Sequence, residues 1–119
     1  QHAGFHFRAN ASVEEKAAET YFLRPSSKGE KGKEENWTGA KSAPTTINRS
    51  WTAMSYLIGD KRFTTVYLDH PDNPKEARQS ERSYGRVGTY FEKEVTKDKP
   101  LTVQYRLFVV EGEVTKEQC

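Results

Sequence analysis

Two strand-like runs joined by a tight turn constrain this chain more than any other feature. Trp51 to Ile58 (WTAMSYLI) sets Trp51, Ala53, Ser55 and Leu57 against Thr52, Met54, Tyr56 and Ile58. Arg62 to Asp69 (RFTTVYLD) is rich in β-branched and aromatic residues, and Gly59-Asp60 lies between the two runs. Side chains of an extended chain alternate with period two, and a Gly-Asp dipeptide suits a hairpin turn. The pattern predicts an antiparallel hairpin.

The flanking segments read the same way. In Gln1 to Ala9, Ala3, Phe5, Phe7 and Ala9 fall on one side of a strand; His2, Gly4, His6 and Arg8 fall on the other. Ser12 to Glu19 carries a capping-box pattern, Ser12 with Glu15, which predicts one short helical turn or a polar hairpin connection. Thr20 to Arg24 is a further strand, ended by Pro25. Residues 25–50 form a long polar loop with a mixed-charge cluster from Lys28 to Glu35. His70 to Ser80, with two prolines and Asp72-Asn73, is a loop with turn chemistry. Arg86 to Phe91 returns to strand. Leu101 to Val110 reads as a strand covered on both faces at its end, and Thr115 as the cap of a helix beginning KEQC. Five or six strands, hairpin connections and no long amphipathic helix predict an all-β antiparallel sandwich.

At 119 residues the chain holds one domain with one modest core. Hydrophobic residues are only 34% of it, which is lean for a whole sandwich. The chain also begins inside a strand pattern and stops inside a helix pattern. The expectation is a portion of a larger sandwich, incomplete at both ends, with strands missing at the N-terminal side. Nineteen basic and 17 acidic residues are interspersed, which argues against nucleic acid as a partner. No apolar run is long enough to cross a bilayer as a helix. The single Cys119 cannot form a disulfide within the chain. Sequons stand at Asn10, Asn36 and Asn48.

The chemistry-bearing residues concentrate in the opening QHAGFHFR and in Leu68 to Phe91. His2, His6 and Arg8 share one strand face and could hydrogen-bond a polyol. Two His four residues apart on a strand are roughly 13 Å apart, too far to share a metal ion without a strong bend. Asp69-His70 and Glu81-Arg82 supply a minimal acid–base set, in which a carboxylate could orient the imidazole. Arg82 could clamp an anionic or hydroxyl-rich group. Tyr84 suits stacking on the flat face of a sugar, and Trp37 in the polar loop suits a lid. Each also has a plain reading: a solvated loop histidine, a packed ring, an exposed sheet face.

The strings HAGFHFRA, TYFLRP, WTAMSYLIGDKRFTTVYLDHPDNP, SERSYGRVGTYF and PLTVQYRLFVVEGEVTKEQC resemble, in order, the C-terminal half of the PmoA-like family, catalogued as methane oxygenase PmoA or as a domain of unknown function. LDHPDNP and SERSYGR carry the most specific matches. The resemblance implies a soluble bacterial β-sandwich associated with polysaccharide breakdown. PLTVQYRLFVVEGEVT is also similar to the last core strand of galactose-mutarotase-like supersandwiches.

These readings converge on a carbohydrate-active or carbohydrate-binding sandwich, periplasmic or secreted, with a carbohydrate or other small polar ligand as partner. His6, His70 and Glu81 are the catalytic candidates. His2, Arg8, Arg82, Tyr84 and Trp37 are the binding candidates. Two alternatives stand beside it: a non-catalytic glycan- or protein-binding module, and a metal-dependent oxygenase-type site in which His6, His70 and Glu81 meet. No cofactor is identified by the sequence.

Overall fold

The computed structural model describes residues 2–25, 27–37, 46–92, 102–115 and 118. The turn expected at 97–100, residues 38–45 of the polar loop, and Cys119 with most of the helix start expected at 116–119 lie outside these residues. Among the described residues eight strands form: β1 His2–Arg8, β2 Tyr21–Arg24, β3 Ser27–Lys28, β4 Trp51–Ile58, β5 Lys61–Asp69, β6 Arg78–Arg82, β7 Arg86–Glu92 and β8 Tyr105–Glu111. They make two antiparallel sheets, one ordered β1-β7-β6 and one ordered β3-β2-β4-β5-β8. The chain is an all-β antiparallel sandwich. Among the described residues no helix is long and apolar enough to cross a membrane.

The β4–β5 hairpin is the spine of the larger sheet. Its register runs from Trp51 opposite Leu68 to Ile58 opposite Lys61, which leaves Gly59-Asp60 as a two-residue loop. Gly59 has φ +64°. A positive φ at the first loop position with none at the second, Asp60, is the type II′ geometry, whose twist matches that of paired strands. Alternation then sends Met54, Tyr56 and Tyr67 inward, where they pack with Phe22, Val87 and Val13. On the opposite face of the same sheet Tyr21, Leu23, Ala53 and Val66 form a second buried cluster.

Several elements differ from the sequence reading: β3 lies inside the loop expected at 25–50 and pairs with β2, and β8 begins at Tyr105 and not at Leu101. The segment at Ala11–Glu19 is a 3₁₀ helix interrupted at Lys16, and its N-cap is Asn10, whose side chain accepts from the Ser12 N–H at 2.9 Å. Ser12 was the expected cap; Asn10 is an equally strong cap former and lies where the chain leaves β1. Residues 78–82 are a strand where a loop end was expected, because the inward side chains of RQSER are polar and break the alternation rule. Finally, among the described residues β8 pairs only with β5. Its Phe108 and Val109 are 50% and 56% exposed, so within the described residues the strand lacks the two-sided cover its composition suggested.

The two sheets are joined by polar as well as apolar contacts. Tyr67 on β5 donates from its hydroxyl to the Phe5 carbonyl on β1 at 2.6 Å, and that hydroxyl lies 3.2 Å from Thr89 Oγ1 on β7. Phe5, Tyr67 and Tyr105 stack around this bond. Burial pushes the Tyr67 phenol well above its ordinary pKa, so it serves as a neutral donor. Tyr67→Phe strands the Phe5 carbonyl and is expected to cost about 1–2 kcal/mol. A urea titration checks it: the midpoint falls while the slope is unchanged.

Candidate functional site

The site follows from the register of the three-stranded sheet. His6 lies opposite Gly88 and Arg8 opposite Arg86 across β1 and β7. Ser80 lies opposite Gly88, Arg82 opposite Arg86 and Arg78 opposite Tyr90 across β6 and β7. Directly opposed residues share a face. Phe5, Val87 and Phe91 point into the sandwich, so these polar residues are on its outer side. That face carries one row Arg8–Arg86–Arg82, a second row His6–Gly88–Ser80 and a third row Gly4–Tyr90–Arg78.

Aromatic rings organise the arginines. Tyr84, in the β6–β7 turn, sits under both Arg8 and Arg86, with guanidinium carbons 4.9 Å and 5.9 Å from the ring centre. Trp37 lies under Arg78 at 4.0 Å and edge-on to Tyr90 at 6.2 Å. Trp37 is fixed there because its N–H donates to the Gln79 carbonyl at 3.2 Å. It therefore packs on the outer face, against Arg78 and Tyr90. Gly88 makes room for His6: a Cβ at Gly88 would fall 2.6 Å from His6 Cδ2.

Charge on this face is unbalanced. Arg82 has Glu34 at 3.5 Å and Arg78 has Glu76 at 3.3 Å. Among the described residues Arg8 and Arg86 have no acidic partner, and the buried Arg86 Nε has no hydrogen-bond partner. Arg86 donates from Nη2 to Ser80 Oγ at 3.3 Å. Burial first, and then the Arg86 charge, holds the His6 pKa below its ordinary value.

Of the expected site residues, His6, Arg8, Arg82, Tyr84 and Trp37 come together on this face. The backbone of His2 pairs opposite Glu92 on β1; its side chain lies outside what the structure describes. Glu81 faces the other way. It is 0% exposed and bridges the sheets, accepting from Arg24 Nε and Nη2 at 2.9 and 2.6 Å and from Arg49 Nη1 at 2.7 Å. The Glu35 N–H adds a fourth bond at 2.7 Å. Every carboxylate oxygen is occupied and shielded, so no substrate reaches it. Burial by itself would lower the Arg24 pKa; the Glu81 hydrogen bonds and charge outweigh it and keep the guanidinium charged.

His70 is apart again, at the exit of β5. It lines an open depression of about 240 Å³ with Leu68, Asp69, Pro71, Gln104, Tyr105 and Arg106. Its Nδ1 accepts from the Asp72 N–H at 3.0 Å, so the backbone, not Asp69, sets the tautomer. Asp69 instead accepts from Asn73 Nδ2 at 2.6 Å. Among the described residues no group of three or more His, Cys, Asp or Glu side chains could hold a metal ion.

Sequence reasoning missed Arg24, Arg49, Arg78 and Arg86. The available signal was the register: RSYGR places two arginines symmetrically about a turn, opposite one another once β6 and β7 pair. The three sequon asparagines also have local work. Asn10 caps the 3₁₀ helix, Asn36 accepts from the Glu81 N–H at 2.7 Å, and Asn48 accepts from the Ala77 N–H at 2.8 Å.

Fold and site together define an antiparallel β-sandwich with one cationic, aromatic-lined outer face. The chain belongs to the Family of unknown function (DUF6807), which matches residues 1–119. No curated protein and no solved structure matches it.

Two outcomes are expected. Glu81→Ala leaves two buried guanidiniums with only the partly exposed Glu35 carboxylate, 3.4 Å from Arg24 Nε and 2.5 Å from Arg49 Nη2, and should lower stability by about 3 kcal/mol in chemical denaturation; Glu35→Gln should cost far less. His6 has a folded pKa below its unfolded one, so its contribution is complete above pH ~6.5 and is lost as pH falls from there through the lower folded value. Between about pH 7.5 and about pH 5.5 the wild-type melting temperature should therefore fall more steeply than that of His6→Gln.

Proposed function

We propose that this protein is a carbohydrate-binding β-sandwich whose glycan lies on the outer face of the β1–β7–β6 sheet. The observation that carries the reading is the convergence there of His6, Arg8, Arg82, Tyr84 and Trp37. Guanidiniums held flat on aromatic rings offer an array of planar hydrogen-bond donors, which suits the hydroxyl rim of a pyranose. The resemblance to PmoA-like sandwiches and, over the last strand, to galactose-mutarotase-like ones points the same way.

Binding is favoured over catalysis because the three acid–base candidates are dispersed. His6 is on the outer face, Glu81 is sealed between the sheets, and His70 is at the far end of β5. General acid–base chemistry needs both groups within hydrogen-bond reach of one substrate. The oxygenase-type reading lacks a ligand cluster among the described residues.

Affinity electrophoresis through gels containing a panel of neutral and acidic polysaccharides tests the proposal. Retardation by at least one of them is expected. Tyr84→Ala and Trp37→Ala should each weaken it by about tenfold, equivalent to about 1.4 kcal/mol. Unretarded migration in every gel, or retardation that both variants leave unchanged, would remove this face from the function.

A further inference from the structure

The outer face has a feature that a neutral sugar does not explain. Arg8, Arg86 and Arg82 stand directly opposite one another on three neighbouring strands. Neighbouring strands are about 4.8 Å apart, and like charges placed directly opposite are destabilising. Tyr84 eases the crowding by lying under two of the three guanidiniums, and Glu34 lies 3.5 Å from Arg82. Nothing acidic among the described residues answers the charges of Arg8 and Arg86. Arg86, the central member, also keeps a buried Nε without a partner. A planar guanidinium in that position presents a fork to an incoming oxyanion.

We infer that the glycan bound on this face is acidic, and that its carboxylate or sulfate group sits on the Arg8–Arg86–Arg82 row. This rests on the glycan-binding reading. An oxyanion there neutralises the row. The sugar ring carrying it extends from the row along the same face, towards Tyr90 and Trp37. Tyr90 stands two rows from Arg86, about 14 Å at about 7 Å per row, so more than one saccharide unit spans the distance. His6, held neutral beside Arg86, adds a hydrogen-bonding group without adding to the repulsion.

Two polymers that differ only in charge provide the test. Binding of the protein to polygalacturonate and to its fully methyl-esterified form is measured by calorimetry at about 0.15 M salt, where exposed charge is screened beyond about 8 Å. The free acid should bind at least about tenfold tighter. A sulfated dextran against plain dextran separates sulfate from carboxylate, and a clear preference for the acidic partner in either pair supports the proposal. Arg86→Lys keeps the charge and loses the fork, so it should weaken acidic-glycan binding by about tenfold while leaving the melting temperature unchanged or higher. Equal binding of free acid and ester, with binding retained, overturns the acidic-ligand inference and leaves the glycan reading intact. Duplex DNA bound as tightly as the acidic glycans, with Arg86→Lys unaffected, reduces the row to general polyanion attraction and overturns it too. No binding to any polysaccharide overturns both. The acid-against-ester comparison uses the unaltered protein, so it decides the question even where a variant folds poorly.

Discussion

One buried carboxylate between two buried arginines governs how the sandwich is put together. Glu81 on β6 meets Arg24 on β2 and Arg49 on the loop before β4. Charges taken out of water are tolerated only when paired and fully hydrogen-bonded, so the position of each group is dictated by the others. β6 must face inward at Glu81, and the 35–37 segment must run beside it, where Glu35 donates to the carboxylate and Asn36 accepts from the Glu81 N–H. Trp37 follows, and its backbone bond to Gln79 carries it onto the outer face.

The candidate site is thus a by-product of an inward constraint. Strand alternation means that fixing Glu81 and Gln79 inward sends Arg78, Ser80 and Arg82 outward. Pairing with β7 then aligns Arg86 with Arg82, and pairing with β1 aligns Arg8 with Arg86. The same alternation separates Glu81 from its sequence neighbour Arg82. A pair that looked like one functional unit is divided between the interior, where it holds the sheets, and the surface, where it can meet a ligand. The Asp69-His70 pair is divided too: Asp69 fixes Asn73, while His70 faces an open depression.

Much of the fold was legible because its strongest signals are local. WTAMSYLI, Gly59-Asp60 and RFTTVYLD form the hairpin that their alternation and turn chemistry require. The opening strand put Phe5 and Phe7 opposite His6 and Arg8, and the sandwich keeps that division. What was illegible depended on partners distant in sequence. RQSER reads as polar loop because its inward Gln79 and Glu81 are satisfied by Thr52, Arg24 and Arg49. Arg24 and Arg49 read as ordinary surface cations for the same reason.

The sequence by itself determined the strands with clear period-two alternation, the turn between β4 and β5, and the residue types available for chemistry. It also determined which side of β1 carries His6 and Arg8. Only the tertiary structure decided which of those residues meet. The register of three strands gathered His6, Arg8, Arg82 and Tyr84, added Arg86 and Arg78, and removed Glu81 and His70. The physical reason is that alternation is a property of one strand, whereas register and ion pairing are settled between strands, by burial and by the cost of leaving a charge unpaired.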